Sequence, residues 1–348
     1  MGSGILKINL TAIANNWEKL RKLSQANVNT AAVVKANAYG LGVKEVAPCL
    51  WRTGAKTFFV ASLEEAIELR GLLPKKAIIF YLNGYSKADL APVVEFDIIP
   101  VLNSCEQVEH FVKQSINKPA AIQFDVGMNR LGIKGVEIND CIRIIKFLKV
   151  RLLIGHLSSA DEVNAPETPC QLNEFIKLSK FLPLVPKSLA STGGILLGEK
   201  FHFDITRPGI GLYGGYPFKT AEPVVSLELP VIQIKELKKS EGVGYNHTFI
   251  ARKSMRIATV VSGYADGLSR KLSNKGFLYS GNIKCPIIGR VSMDLITVDI
   301  SSLDTSPKTL HVLGANQSIN DFAKQLGTIS YEILTSLGSR FERIYNDR

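Results

Sequence analysis

A lysine that closes an apolar run is the first residue in this chain equipped for chemistry. Ala31-Ala32-Val33-Val34-Lys35 reads as a buried strand ending in an amine. Burial at such a place lowers the pKa of an ammonium. The free amine can then form a Schiff base with a carbonyl compound. The plainer alternative is a lysine that marks the strand's end and reaches back to water; position alone does not separate the two. Further along, Ser191-Thr192-Gly193-Gly194 and Arg207-Pro208-Gly209-Ile210-Gly211-Leu212-Tyr213-Gly214 combine hydroxyls with glycines. Glycines let backbone N–H groups come close to an anion. Either segment by itself is also ordinary turn chemistry.

These segments gain meaning from the elements that must carry them. Short apolar runs at 31–35, 57–60, 77–82, 97–101, 120–125, 151–156, 187–191 and 203–206 read as strands. Helical patterns fall between most of them, at 43–51, from Ser62 with a capping-box Glu65, and at 86–95, 104–115, 135–148 and 169–182. Alternating units of this number predict an N-terminal (β/α)8 TIM-type barrel. An open doubly wound sheet is the rival, but no G-x-G-x-x-G opens the first unit. In such barrels function sits at the C-terminal ends of strands, and the loops after strands seven and eight often bind phosphate. A reactive lysine and a phosphate cradle at one barrel mouth suit pyridoxal 5'-phosphate. After about Gly215 strand-like runs dominate, at 224–236, 256–262, 285–290, 295–300 and 309–313, with helix returning near 319–337 behind Ser318. The expected division is therefore a barrel over 1–220 and a mostly β C-terminal domain over 221–348. Ile5–Leu10 alternates like a strand and can pair with either.

Composition narrows the rest. No apolar run approaches the roughly 20 residues of a membrane span, so no membrane partner is expected. Met1 to Asn9 shows no basic region followed by an apolar stretch, and the expected compartment is the cytosol. Five cysteines at wide spacings read as reduced thiols, and five histidines form no ligand cluster, so no metal is expected. The net charge of +11 raises nucleic acid as a partner, but the lysines are scattered and no basic run interleaves with aromatics. A solvated basic surface accounts for it, and no nucleic-acid partner is expected.

Val33-Val34-Lys35-Ala36-Asn37-Ala38-Tyr39-Gly40 resembles the cofactor-lysine motif of the alanine racemase family, a group of fold-type III pyridoxal-phosphate enzymes. The likeness continues through Asp125-Val126-Gly127-Met128-Asn129-Arg130-Leu131-Gly132, Gly155-His156-Leu157 with Ala160-Asp161-Glu162, and Arg207-Pro208-Gly209-Ile210. Val243-Gly244-Tyr245, Gly263-Tyr264-Ala265-Asp266-Gly267 and Ser292-Met293-Asp294 follow in the family's order.

The resemblance implies interconversion of L- and D-alanine, supplying D-alanine for peptidoglycan. Lys35 would carry the cofactor and act as one base, and Tyr245 from a partner subunit would be the opposing base. Arg207 would face the pyridine nitrogen. Tyr39, Thr192, Gly209 and Ile210 would hold the phosphate. His156 would stack near the ring and hydrogen-bond Arg207. Arg130 and the Met293 backbone would meet the substrate carboxylate, and Tyr264 would narrow the entrance. The active form implied is a homodimer with shared sites.

Three positions depart from the pattern: Gln123 stands where many members carry a carbamylated lysine, Ser191 replaces an asparagine, and Ser339 replaces a tyrosine beside Arg340. Rival readings are a decarboxylase, which would place a carboxylate where Arg207 stands; a cofactor-binding barrel protein, which would lack the β domain; and a racemase of another or a broader range of amino acids.

Overall fold

The computed structural model describes residues 4–114 and 118–346. Residues 1–3, part of the leader reading, and position 115, the last of the expected helix 104–115, lie outside the described residues. The chain divides into two compact units, Ile13–Glu222 and a unit formed by Met1–Ala12 with Pro223–Arg348.

The first unit is the barrel. Seven parallel strands run in sequence order through Ala32–Val33, Thr57–Val60, Ile78–Tyr81, Ile99–Leu102, Pro119–Gln123, Lys149–Ile154 and Lys187–Ser188. Ile205–Thr206 closes the ring. It pairs in parallel with Asn29–Thr30, while Ala31 N donates to Thr206 O at 2.9 Å and Arg207 N donates to Ala190 O at 2.8 Å. The strands are apolar on both faces because side chains fill the interior and helices cover the outside. Phe58, Phe59, Phe80, Ile122, Leu153 and Leu189 are buried accordingly. Ser62 and Glu65 form the expected capping box on the helix Leu63–Leu72. One expectation fails: the first strand ends at Val33, not at Lys35. Val34 N still reaches Phe59 O, but the next residues leave the extended conformation.

The second unit is built on Val225–Leu237, whose first half alternates buried and half-buried positions. It pairs with Thr309–Leu313 along one stretch and with Met255–Val261 along the next, with a register shift near Val231. Ile5–Asn9 lies between Val225–Leu237 and Glu342–Asn346. The helical stretch near 319–337 is two helices, Ile319–Leu326 and Ser330–Ser336. Gly327 at φ 67° ends the first, a left-handed cap suited to glycine. The strands Phe277–Ser280 and Glu342–Asn346 were not expected.

Candidate active site

At the barrel mouth Lys35 opens a left-handed turn. Ala36, Asn37, Ala38 and Tyr39 have φ of 52°, 54°, 53° and 56°. Each non-glycine residue costs roughly 1–2 kcal/mol in that region, so the turn costs roughly 4–8 kcal/mol. Surrounding bonds offset the cost. Glu65 Oε1 accepts the Ala36 N–H at 2.6 Å, Asn37 Oδ1 accepts the Val43 N–H at 2.7 Å, and Gly40 N donates to Ala36 O at 2.7 Å. Tyr39 packs against Tyr213 with ring centroids 4.6 Å apart and planes tilted by 31°, and the Tyr213 hydroxyl donates to Val33 O at 3.0 Å. Strain kept at this level by tertiary contacts is typical of a functional position. Burial holds the Lys35 ammonium below the usual lysine range; Arg130 pushes the same way and Glu65 opposes both.

Cations converge beside it. The His156 imidazole is pushed down to about 3, first by desolvation, then by Arg207, Arg130 and Lys35. Arg207 is buried, which lowers it to about 10, so it remains a guanidinium at neutral pH. Its Nη2 donates to Gly155 O at 2.7 Å and its Nη1 to Ser188 Oγ, which in turn donates to Ile205 O at 2.5 Å. Among the described residues no hydrogen bond joins His156 to Arg207, contrary to expectation; the link between them is charge.

Arg130 is exposed on a loop shaped by Asp125, whose Oδ1 accepts the N–H groups of Gly127 and Asn129 at 3.0 Å each. Gln123 Nε2 donates to Leu131 O at 3.0 Å, so it braces the backbone after Arg130 and not its guanidinium.

The loops after strands seven and eight meet at Thr192. Its Oγ1 accepts the N–H groups of Gly209 and Gly211 at 3.1 Å each, and Thr192 itself opens the short helix Thr192–Leu196. Both lone pairs are engaged, which leaves the hydroxyl proton to donate outward. A Cβ at position 209 would collide with Tyr39 Oη, so glycine is what lets that phenol stand beside the backbone. Ile210 begins a 3-10 turn, Ile210–Tyr213, directly after it. Hydroxyl donors, glycine backbone and the guanidiniums of Arg130 and Arg207 fit an anionic cofactor that also needs an amine. Among the described residues no group of three or more His, Cys, Asp or Glu could hold a metal ion.

The β unit carries the other expected residues. Tyr264 N donates to Ser292 O and Ala265 N to Met293 O, both at 3.1 Å. A Cβ on Gly263 would strike the carbonyls of Ser292 and Met293, so the two segments touch backbone to backbone. A triad unforeseen in the sequence fixes them. Arg340 donates from Nε to buried Asp266 at 2.6 Å and from Nη1 to Asp294 at 2.8 Å. Asp266 also accepts the Gly263 N–H at 2.9 Å. Arg340 was noticed only as a neighbour of Ser339; its partners lie far away in sequence. Tyr245 follows Gly244 (φ 66°) and has 69% of its surface exposed.

A (β/α)8 barrel with a lysine-centred cationic mouth, continued by a β domain, defines the class of barrel enzymes with an appended β domain. The family profile of the alanine racemase N-terminal domain matches residues 8–217, and that of the C-terminal domain matches 224–345. The chain belongs to the alanine racemase family. An alanine racemase of Cereibacter sphaeroides is 46% identical over 345 residues, covering 99% of both chains. One from Brucella suis is 40% identical, covering 98% of this chain and 93% of that one. Among solved structures, alanine racemase from Bartonella henselae with covalently bound pyridoxal phosphate superposes with a TM-score of 0.94 at 38% identity, covering 99% of both chains. The biosynthetic alanine racemase from Pseudomonas aeruginosa gives 0.93 at 33% identity over the full length of each.

Proposed function

We propose that this chain interconverts L- and D-alanine with pyridoxal 5'-phosphate. The observation that carries the reading is the convergence of Lys35, Arg130 and Arg207 on one barrel mouth beside the Thr192 cradle. Thr192, Tyr39, Gly209 and Ile210 would hold the phosphate, Arg207 the ring nitrogen and Lys35 the aldehyde, with His156 beside the ring. Pyridoxal phosphate, when bound, supplies an aldehyde and a conjugated ring that draws electrons from the amino acid's Cα. Arg207 stays protonated, so toward a bound cofactor it would donate a hydrogen bond to the ring nitrogen without giving up its proton, which would disfavour protonation of that nitrogen and with it transamination. The depressed Lys35 can be a neutral amine and take a proton from one face. Tyr245 takes or returns the proton on the other. Racemisation needs both faces served, so a homodimer in which Tyr245 comes from the partner subunit completes each site. Arg130 and the Met293 backbone receive the carboxylate, and Tyr264 limits side-chain size. Cytosolic residence fits an enzyme of this kind; among the described residues no helix is long and apolar enough to cross a membrane.

The test is direct. Purified chain with the cofactor and L-alanine should produce D-alanine on chiral chromatography. Lys35→Ala should cut turnover by about 10,000-fold or more and abolish borohydride-fixed cofactor. Cofactor fixed to a different lysine would overturn the assignment.

A further inference from the structure

Glu65 faces two ways. Its Oε2 accepts the N–H groups of Ala61 at 2.6 Å and Ser62 at 3.4 Å, and Ser62 Oγ accepts the Glu65 N–H, which completes a capping box. A cap needs nothing more. Yet Oε1 reaches the Ala36 N–H at 2.6 Å, the peptide that joins Ala36 to Lys35 and begins the left-handed turn. The same carboxylate opposes Arg130 and burial at the Lys35 amine. We propose that Glu65 is a positioning residue for Lys35, fixing the peptide that follows the lysine and setting the charge beside its amine. This rests on the reading of Lys35 as the amine that carries the cofactor.

The contact pattern requires a carboxylate. Both oxygens accept N–H groups, whereas an amide offers one accepting and one donating end. Glu65→Gln must therefore turn its own N–H2 against Ala36 or against Ala61 and Ser62. It also removes the negative charge, leaving Lys35 to face Arg130 with no counter-charge from Glu65. Glu65→Asp keeps the charge but is one methylene short of spanning both groups.

Three variants of the full chain separate the roles: Glu65→Gln, Glu65→Asp and, as a cap control, Ser62→Ala. Amide exchange at Ala36 reads the bond, and the acylation rate of Lys35 in cofactor-stripped protein at mildly alkaline pH reads the charge. Glu65→Gln should speed Ala36 exchange about tenfold or more and Lys35 acylation several-fold, because the ammonium releases its proton more easily. Its kcat should fall about tenfold with KM for alanine little changed. Glu65→Asp should speed exchange while leaving acylation near the wild-type rate. Ser62→Ala should lower the melting temperature and move neither readout. Wild-type exchange and acylation in Glu65→Gln, whatever its melting temperature, would reduce Glu65 to a helix cap and overturn the proposal. Should Glu65→Gln not fold, unchanged Ala36 exchange in Glu65→Asp does the same. If borohydride fixes the cofactor elsewhere while Lys35 acylation still shifts in Glu65→Gln, the cofactor assignment fails and the role of Glu65 toward Lys35 stands.

Discussion

Arg207 and Thr192, in the barrel, are held by hydrogen bonds from their own side chains, whereas Tyr264 and Met293, in the β unit, are held by backbone contacts. Around Lys35 the same contrast continues: Tyr39 packs against Tyr213 and the turn is tied by Glu65 and Asn37. In the β unit Gly263, Asp266 and Arg340 fix the segments that carry Tyr264 and Met293 and leave those side chains exposed by 44% and 53%, and Tyr245 is exposed by 69%. A side chain locked at rest is organised for cofactor and charge. A side chain offered from a fixed backbone awaits something to complete its surroundings, as the proposed sharing between subunits requires.

The largest effect that bears on this contrast belongs to Tyr245. Tyr245→Phe should slow proton removal from one alanine enantiomer by about 100- to 10,000-fold in single-turnover exchange in deuterium oxide, and far less from the other. Equal losses on both enantiomers would merge the two regions into one role. Mixing Lys35→Ala with Tyr245→Phe subunits, once exchange is verified with tagged protein, should restore about a quarter of wild-type activity, since half the dimers are mixed and each holds one intact site. No recovery would place each site within one chain.

The next effect is in stability. His156 titrates near 3 in the folded chain and near 6.5 unfolded, so between these values the unfolded chain binds the extra proton. Stability is then full above about pH 6.5 and falls as pH drops toward 3, by at most about 1.4 kcal/mol per pH unit from this residue. Denaturant titrations of wild type and His156→Gln across that window should differ in slope, with the variant flatter. Identical slopes would remove the depression of His156 inferred from its burial and the cations around it. The smallest effect should come from the β unit. Asp266→Asn loosens the Arg340 triad and should raise KM for alanine several-fold while kcat changes little. A kcat loss as large as that of Tyr245→Phe would show that backbone fixing there also sets the chemistry.

The barrel was legible because most of its strands lie in short apolar runs and helical patterns fall between most of them. Boundaries at 57–60 and 309–313 matched to the residue. The turn after Lys35 was not legible. Ala-Asn-Ala-Tyr holds no glycine, and only its asparagine tolerates positive φ readily, so the conformation exists because Glu65, Val43 and Tyr213 hold it. Glu342–Asn346 was missed because its residues are half-buried or exposed and show no apolar alternation. The Arg340 triad escaped because charge pairs 46 and 74 residues apart leave no local pattern. Motif order nominated the site residues; it carried no information on what braces them, as Gln123 shows by bonding Leu131 O instead of Arg130.

The placement of Ile5–Asn9 has a consequence for synthesis. Ile5 pairs with Glu228 on one side and Glu342 on the other. The ribosome therefore releases this strand long before either neighbour exists. At ordinary elongation rates the wait for Glu228 is on the order of tens of seconds. During that interval the whole of Ile13–Glu222 emerges and can close its ring unaided, while an alternating, unpaired edge trails from its front. The β unit is thus completed last, when Ile5–Asn9 takes its place between Val225–Leu237 and Glu342–Asn346. A nascent chain stalled anywhere before Val225–Leu237 carries an alternating edge with neither of its partners made.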